Sequence, residues 1–169
     1  MRPRVRFTDQ KKRIKNKKPI KNRKNKQKKY YSGKAKRHTI KTQVIADKDT
    51  KRIICTDFCE GRKHDFKLFK DSKTEINERI LLLDDTGYLG ITELHSNNLM
   101  PKKKSKKKPL TKKDKENNRE ISRQRVVIEN IICMIKRYKI LCEKYRNRRK
   151  RFGLRFNLLA GIYNFELSA

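Results

Sequence analysis

The sequence predicts a mixed α/β fold, and three observations carry that expectation. Residues 39–58 alternate apolar and polar side chains around a turn; Ile80–Leu83 is a compact apolar run ended by a glycine-bearing turn; and two C-terminal stretches repeat apolar residues at helical spacing. The length of 169 residues suits one domain or part of one. With 50 Lys and Arg against 18 Asp and Glu, the formal net charge is +32. A compact state so charged repels itself unless a polyanion neutralises it, which makes nucleic acid the first partner to expect, ahead of acidic substrates and anionic lipid. There is no run of 18 apolar residues, and the opening Met1-Arg2-Pro3-Arg4 leads into lysines instead of an apolar signal core. A cytoplasmic protein, neither membrane-spanning nor secreted, is the expectation.

Taken in order, residues 1–29 form a basic, disordered segment, because the lysine-rich run beginning at Lys11 has almost nothing apolar to bury. A nucleic-acid arm and a solvated tail are equally compatible with it. From Thr39, Ile40, Thr42, Val44 and Ala46 alternate with Lys41, Gln43 and Ile45, then Asp47-Lys48-Asp49-Thr50 turns the chain into Arg52–Phe58, a hairpin pattern. Phe66, Phe69 and Ile76 predict a short helix over about 64–76, with Asp65 suited to its N-terminus. Ile80–Leu83 reads as a buried strand that stops at Asp84-Asp85-Thr86-Gly87. Residues 101–117 form a basic flexible connection with Pro101 and Pro109 as breakers. Ile121, Val127, Ile128, Ile131, Ile132, Ile135 and Tyr138 then share one side of a helix over about 118–141, and Phe152 to Phe165 make a final apolar helix.

Metal and acid chemistry narrows to few residues. Cys55, Cys59, Cys133 and Cys142 form no C-x2-C pair, and His38, His64 and His95 stand far apart, so zinc is not expected. Asp85, just past an apolar strand, sits where α/β sheets present chemistry, and Glu129 sits beside the apolar seam of the long helix. If that helix packs beside the strand, the two carboxylates converge as a two-metal site requires. Each has a plainer alternative: Asp84-Asp85-Thr86-Gly87 is a good turn whatever the function, and Glu129 has a partner at hand in Arg125 one helical turn earlier.

Four stretches together resemble a known family. Tyr30-Tyr31-Ser32-Gly33-Lys34 followed by Lys36-Arg37-His38-Thr39, then Gly61-Arg62-Lys63-His64-Asp65-Phe66, then Leu83-Asp84-Asp85-Thr86-Gly87-Tyr88-Leu89-Gly90, then Tyr145-Arg146-Asn147-Arg148-Arg149-Lys150-Arg151-Phe152 are similar, in one order over about residues 27–167, to the DDE-type transposases of bacterial insertion sequences. The resemblance implies an RNase H-like mixed sheet flanked by helices. In such a core two Asp and one Glu hold two Mg2+ (or Mn2+) ions and cut and rejoin DNA at transposon ends. By position, Asp85 takes the place of the second Asp and Glu129 that of the Glu, while Arg125 and Lys136 match an Arg and a Lys that contact end phosphates; Ser122 stands where that signature has Tyr. Arg148 and Arg149 join Arg125 and Lys136 as implied DNA contacts.

The family's first Asp belongs about a dozen residues before Tyr30, and residues 11–25 contain no acidic side chain. Asp9, in Phe7-Thr8-Asp9-Gln10, lies outside the motif and is not expected to be a ligand. The helical DNA-binding portion that precedes the core in such transposases is absent too. The resemblance therefore implies a partial core over 30–167, the product of a truncated or frameshifted copy, lacking the opening strand and unable to catalyse transposition alone. Expected partners are DNA (transposon ends and target), a second copy or a full-length transposase. Two other readings stand beside it: a non-enzymatic basic nucleic-acid-binding protein that stacks bases on Tyr30 and Tyr31, and a regulator of transposition.

Overall fold

The computed structural model describes residues 4–13, 28–33, 35–105, 109–143 and 149–168. Its scaffold is one mixed sheet with helices on both faces. β3 (Arg37–Asp47) and β4 (Ile53–Glu60) form the expected hairpin, antiparallel with Val44 opposite Thr56 and an irregularity between Ile45 and Ala46. A two-residue β2 (Tyr31–Ser32) pairs with the start of β3. On the other flank of β3 lies β1 (Arg4–Arg13), antiparallel to β3 with Phe7 opposite Ile45, and parallel to β5 (Leu81–Leu83) with Arg6 beside Leu83. β6 (Asn98–Leu99) extends the sheet parallel to β5.

β1 is the main correction. The sequence predicts a sheet without its opening strand and disorder throughout 1–29, whereas Arg4–Arg13 is a strand between β3 and β5, at the centre of the sheet. Its apolar signal is only Val5 and Phe7, alternating with Arg4, Arg6 and Thr8. Two neighbouring strands supply the backbone pairing that its composition would not suggest, an instance of tertiary context overriding propensity. Residues 1–3 and 14–27 of that expected segment lie outside the described residues.

β3 is buried on both faces, so its alternation separates two apolar clusters. Ile40, Val44 and Ala46 pack with Ile128, Ile131, Ile132 and Ile135 of α2 (Lys112–Lys136) and with Phe152, Phe156, Ala160 and Tyr163 of α4 (Phe152–Glu166). Ile45 packs on the opposite face with Phe69 of α1 (Asp65–Ser72), Leu82, Tyr88 and Ile91. Burying each large side chain contributes about 1.5–3 kcal/mol. α1 ends before the expected Ile76 because Lys73 takes a left-handed conformation, φ 50°. α2 begins six residues ahead of expectation. Thr111 and Asp114 form a reciprocal capping box that starts the helix inside the basic stretch 101–117. α2 stops at Lys136, and Tyr138, in extended backbone, leads into the single turn α3 (Lys139–Cys142).

α4 is tied to the edge strand as well as packed on it. Ile53 N–H donates to Asn164 Oδ1 at 2.8 Å, and Asn164 Nδ2 donates back to Ile53 O at 2.8 Å. Tyr163 OH donates to Lys51 O at 3.2 Å, and burial raises the Tyr163 pKa.

Candidate carboxylate and phosphate site

The site begins where β5 ends. Asp84 is fully buried, and Asp85 caps the 3-10 turn Thr86–Tyr88 by accepting Thr86 N–H on Oδ1 at 2.7 Å. Alternation places the even residues of β3 toward α2 and α4, and the odd ones toward α1. α2 crosses the former face so that Ile128 and Ile131 gather with Leu83 and Ala46 around a cavity of about 10 Å³. One turn earlier on α2, Arg125 Nη2 lies 3.2 Å from Asp85 Oδ1. The expected convergence of β5 and the long helix is therefore present, but its contact is Asp85 with Arg125. Glu129, exposed one turn further on, makes no ion pair or hydrogen bond among the described residues, so the alternative pairing of Glu129 with Arg125 is not formed. Lys136 is exposed at the end of the same stripe, about 16 Å from Arg125 along the axis. Arg148 and the side chain of Arg149 lie outside the described residues.

The turn that carries Asp85 is held from below by groups whose role the sequence leaves hidden. Lys41 is buried on the α1 face, where its ammonium pairs with Asp65 and donates to Lys63 O. A Cβ on Gly87 would lie 2.5 Å from Asp65 Oδ2, and one on Gly90, at φ 101°, would lie 3.0 Å from the Phe66 ring. The first turn of α1 and the segment 85–90 thus approach closely at both glycines, and the positive φ of Gly90 favours glycine there. Lysine in an alternating strand signals an exposed face, so only the odd-numbered position beside Ile45 hinted that Lys41 is buried.

The two-carboxylate expectation can be weighed against this geometry. Asp85 and Glu129 offer hard oxygen donors of the kind Mg2+ and Mn2+ prefer. Yet Asp85 is committed to Arg125, and among the described residues no group of three or more His, Cys, Asp or Glu side chains is placed to hold a metal. The β1–β5 pairing runs to Arg6 beside Leu83, two residues short of Asp85, while on the other flank the β1 backbone pairs Thr8 with Val44 and Asp9 with Gln43. The donor set of the described residues does not fit a two-metal centre.

Over residues 12–164 the sequence matches the family described as DDE superfamily endonuclease. The chain belongs to that superfamily. It is 49% identical over 150 residues to the probable transposase for insertion sequence element IS702 of Microchaete diplosiphon, a match covering 89% of this chain and 54% of that relative. The chain spans about half the length of the curated relative it matches. No solved structure matches. Members of this endonuclease superfamily generally use divalent metals. No helix among the described residues is long and apolar enough to cross a membrane, and Cys55, Cys59, Cys133 and Cys142 form no disulfide.

Proposed function

We propose that this chain is the core portion of an insertion-sequence transposase that holds DNA without cutting it unaided. The observation that carries the reading is the Asp85–Arg125 ion pair, with no group of three metal-ligating side chains around it among the described residues. The antiparallel β4–β3–β1 meander, followed by β5 and β6 parallel to β1 and flanked by α1 and α2, supports an RNase H-like fold. In this reading Asp85 and Glu129 are the carboxylates that hold Mg2+ or Mn2+ in intact relatives. Arg125, Lys136, Arg148 and Arg149 contact phosphates of transposon ends or target DNA, giving salt-sensitive, sequence-tolerant binding. A second copy or a full-length transposase is the expected protein partner, on DNA in the bacterial cytoplasm. Tyr31, edge-on to His38 with ring centroids 5.7 Å apart, is exposed enough to stack a base, so base contact is compatible with the same role.

The test is cleavage of a labelled duplex carrying the flanking element's terminal repeats, with Mg2+ or Mn2+. The chain as it stands binds the duplex and leaves it intact, and a version bearing a restored upstream Asp-containing strand gains cleavage that Asp85→Ala abolishes. Cleavage by the unaltered chain, lost on Asp85→Ala, overturns the non-cutting assignment.

A further inference from the structure

We propose that Asp85 is a built-in competitor of the DNA phosphate for Arg125, so that docking a phosphate and freeing Asp85 are one event. The inference rests on the reading that Arg125 contacts DNA. A guanidinium presents a planar fork suited to two parallel hydrogen bonds with a carboxylate or phosphate. Arg125 uses only part of it: Nη2 meets Asp85 Oδ1 at 3.2 Å, while Nε is buried with no partner among the described residues. The same Oδ1 already accepts the Thr86 N–H at 2.7 Å. The carboxylate is thus divided between turn and guanidinium, and the guanidinium is left half satisfied. A phosphodiester has two non-bridging oxygens and no turn to cap, so it can replace Asp85 at Nη2 and offer its second oxygen to the rest of the fork as Arg125 turns toward it.

The surroundings favour the exchange. The side chains of Arg125 and Asp85 are 24% and 42% exposed, so water and salt already weaken their attraction. Asp85 released from Arg125 keeps its bond to Thr86 N–H, so the turn survives the loss of its ion pair. Glu116 supplies the internal control, an exposed carboxylate on the same helix that makes no ion pair with Arg125.

Binding of a fluorescent duplex of arbitrary sequence, followed by anisotropy across a KCl series without divalent metal, tests this. Asp85→Asn keeps an acceptor for Thr86 but no charge for Arg125. It is expected to tighten binding about five-fold at low salt and to steepen the log K against log salt slope by about one, so that the gain shrinks three- to four-fold between 50 and 200 mM. Glu116→Gln is expected to change affinity less than two-fold, and Asp85→Asn to gain nothing when Arg125 is already Ala. Circular dichroism confirms that each variant is folded. If Arg125→Ala leaves affinity and slope unchanged, the DNA contact itself is wrong. If Arg125→Ala weakens binding but Asp85→Asn and Glu116→Gln give equal gains, or the Asp85→Asn gain persists without Arg125, then general repulsion explains the effect and the competition is overturned.

Discussion

The two faces of the sheet each carry one Lys or Arg against one Asp, and the two pairs do opposite work. On the α1 face, Lys41 and Asp65 have side chains only 6% and 18% exposed, and they sit beneath Gly87 as part of the scaffold. On the α2 face, Arg125 and Asp85 are 24% and 42% exposed at the mouth of the candidate site. The chemistry is nearly the same; burial decides which pair is fixed and which can exchange partners. Removing one member of a buried pair strands a charge in a poorly solvated place, whereas removing one member of an exposed pair leaves the other to water.

The sharpest way to break this contrast is Asp65→Ala. It removes the carboxylate that pairs with the buried Lys41 ammonium and is expected to cost about 3 kcal/mol in urea unfolding, while Asp85→Ala costs about 1 kcal/mol or less. Equal losses would erase the distinction between the faces. Gly87→Ala comes next in size, driving a methyl group into the Asp65 carboxylate at a cost of about 1–3 kcal/mol. That cost should vanish on a background carrying Lys41→Met and Asp65→Ala, which removes both the obstacle and the charge it balances; thermal denaturation of the set checks the cycle. The smallest effect concerns an exposed pair remote from both faces. The hydrogen bond from Lys102, aided by Thr111, holds the Asp114 carboxyl below its ordinary 3.8. A lowered folded-state value contributes stability that is present above 3.8 and lost as pH falls through the lower folded value. Amide exchange at the start of α2 should therefore quicken only in that acid window, and Asp114→Asn should remove the pH dependence.

Much of the scaffold was legible from local pattern. The β3–β4 hairpin, the apolar run of β5 and the apolar stripes of α2 and α4 follow periodicity, because their apolar residues recur where burial needs them. β1 was not legible, since only its place between β3 and β5 explains how a strand so rich in Lys and Arg stays paired. The start of α2 carried its own signal in Thr111 and Asp114, obscured by the lysines on either side. At the site, the nearness of Asp85 to the long helix followed from element order, but the choice of Arg125 as its partner is tertiary. Sequence separation of 40 residues says nothing about which of Glu129 or Asp85 a guanidinium will face.

Asn164 has a consequence for how this molecule meets other chains. β4 is an edge strand, and an open edge is a template on which a foreign strand can lengthen the sheet. The carboxamide of Asn164 accepts from Ile53 N–H and donates to Ile53 O, occupying the two groups that an incoming strand would read first at that end. One side chain thereby acts as a stopper against recruitment into fibrils, and its removal would open the sheet to growth by chains of the same kind.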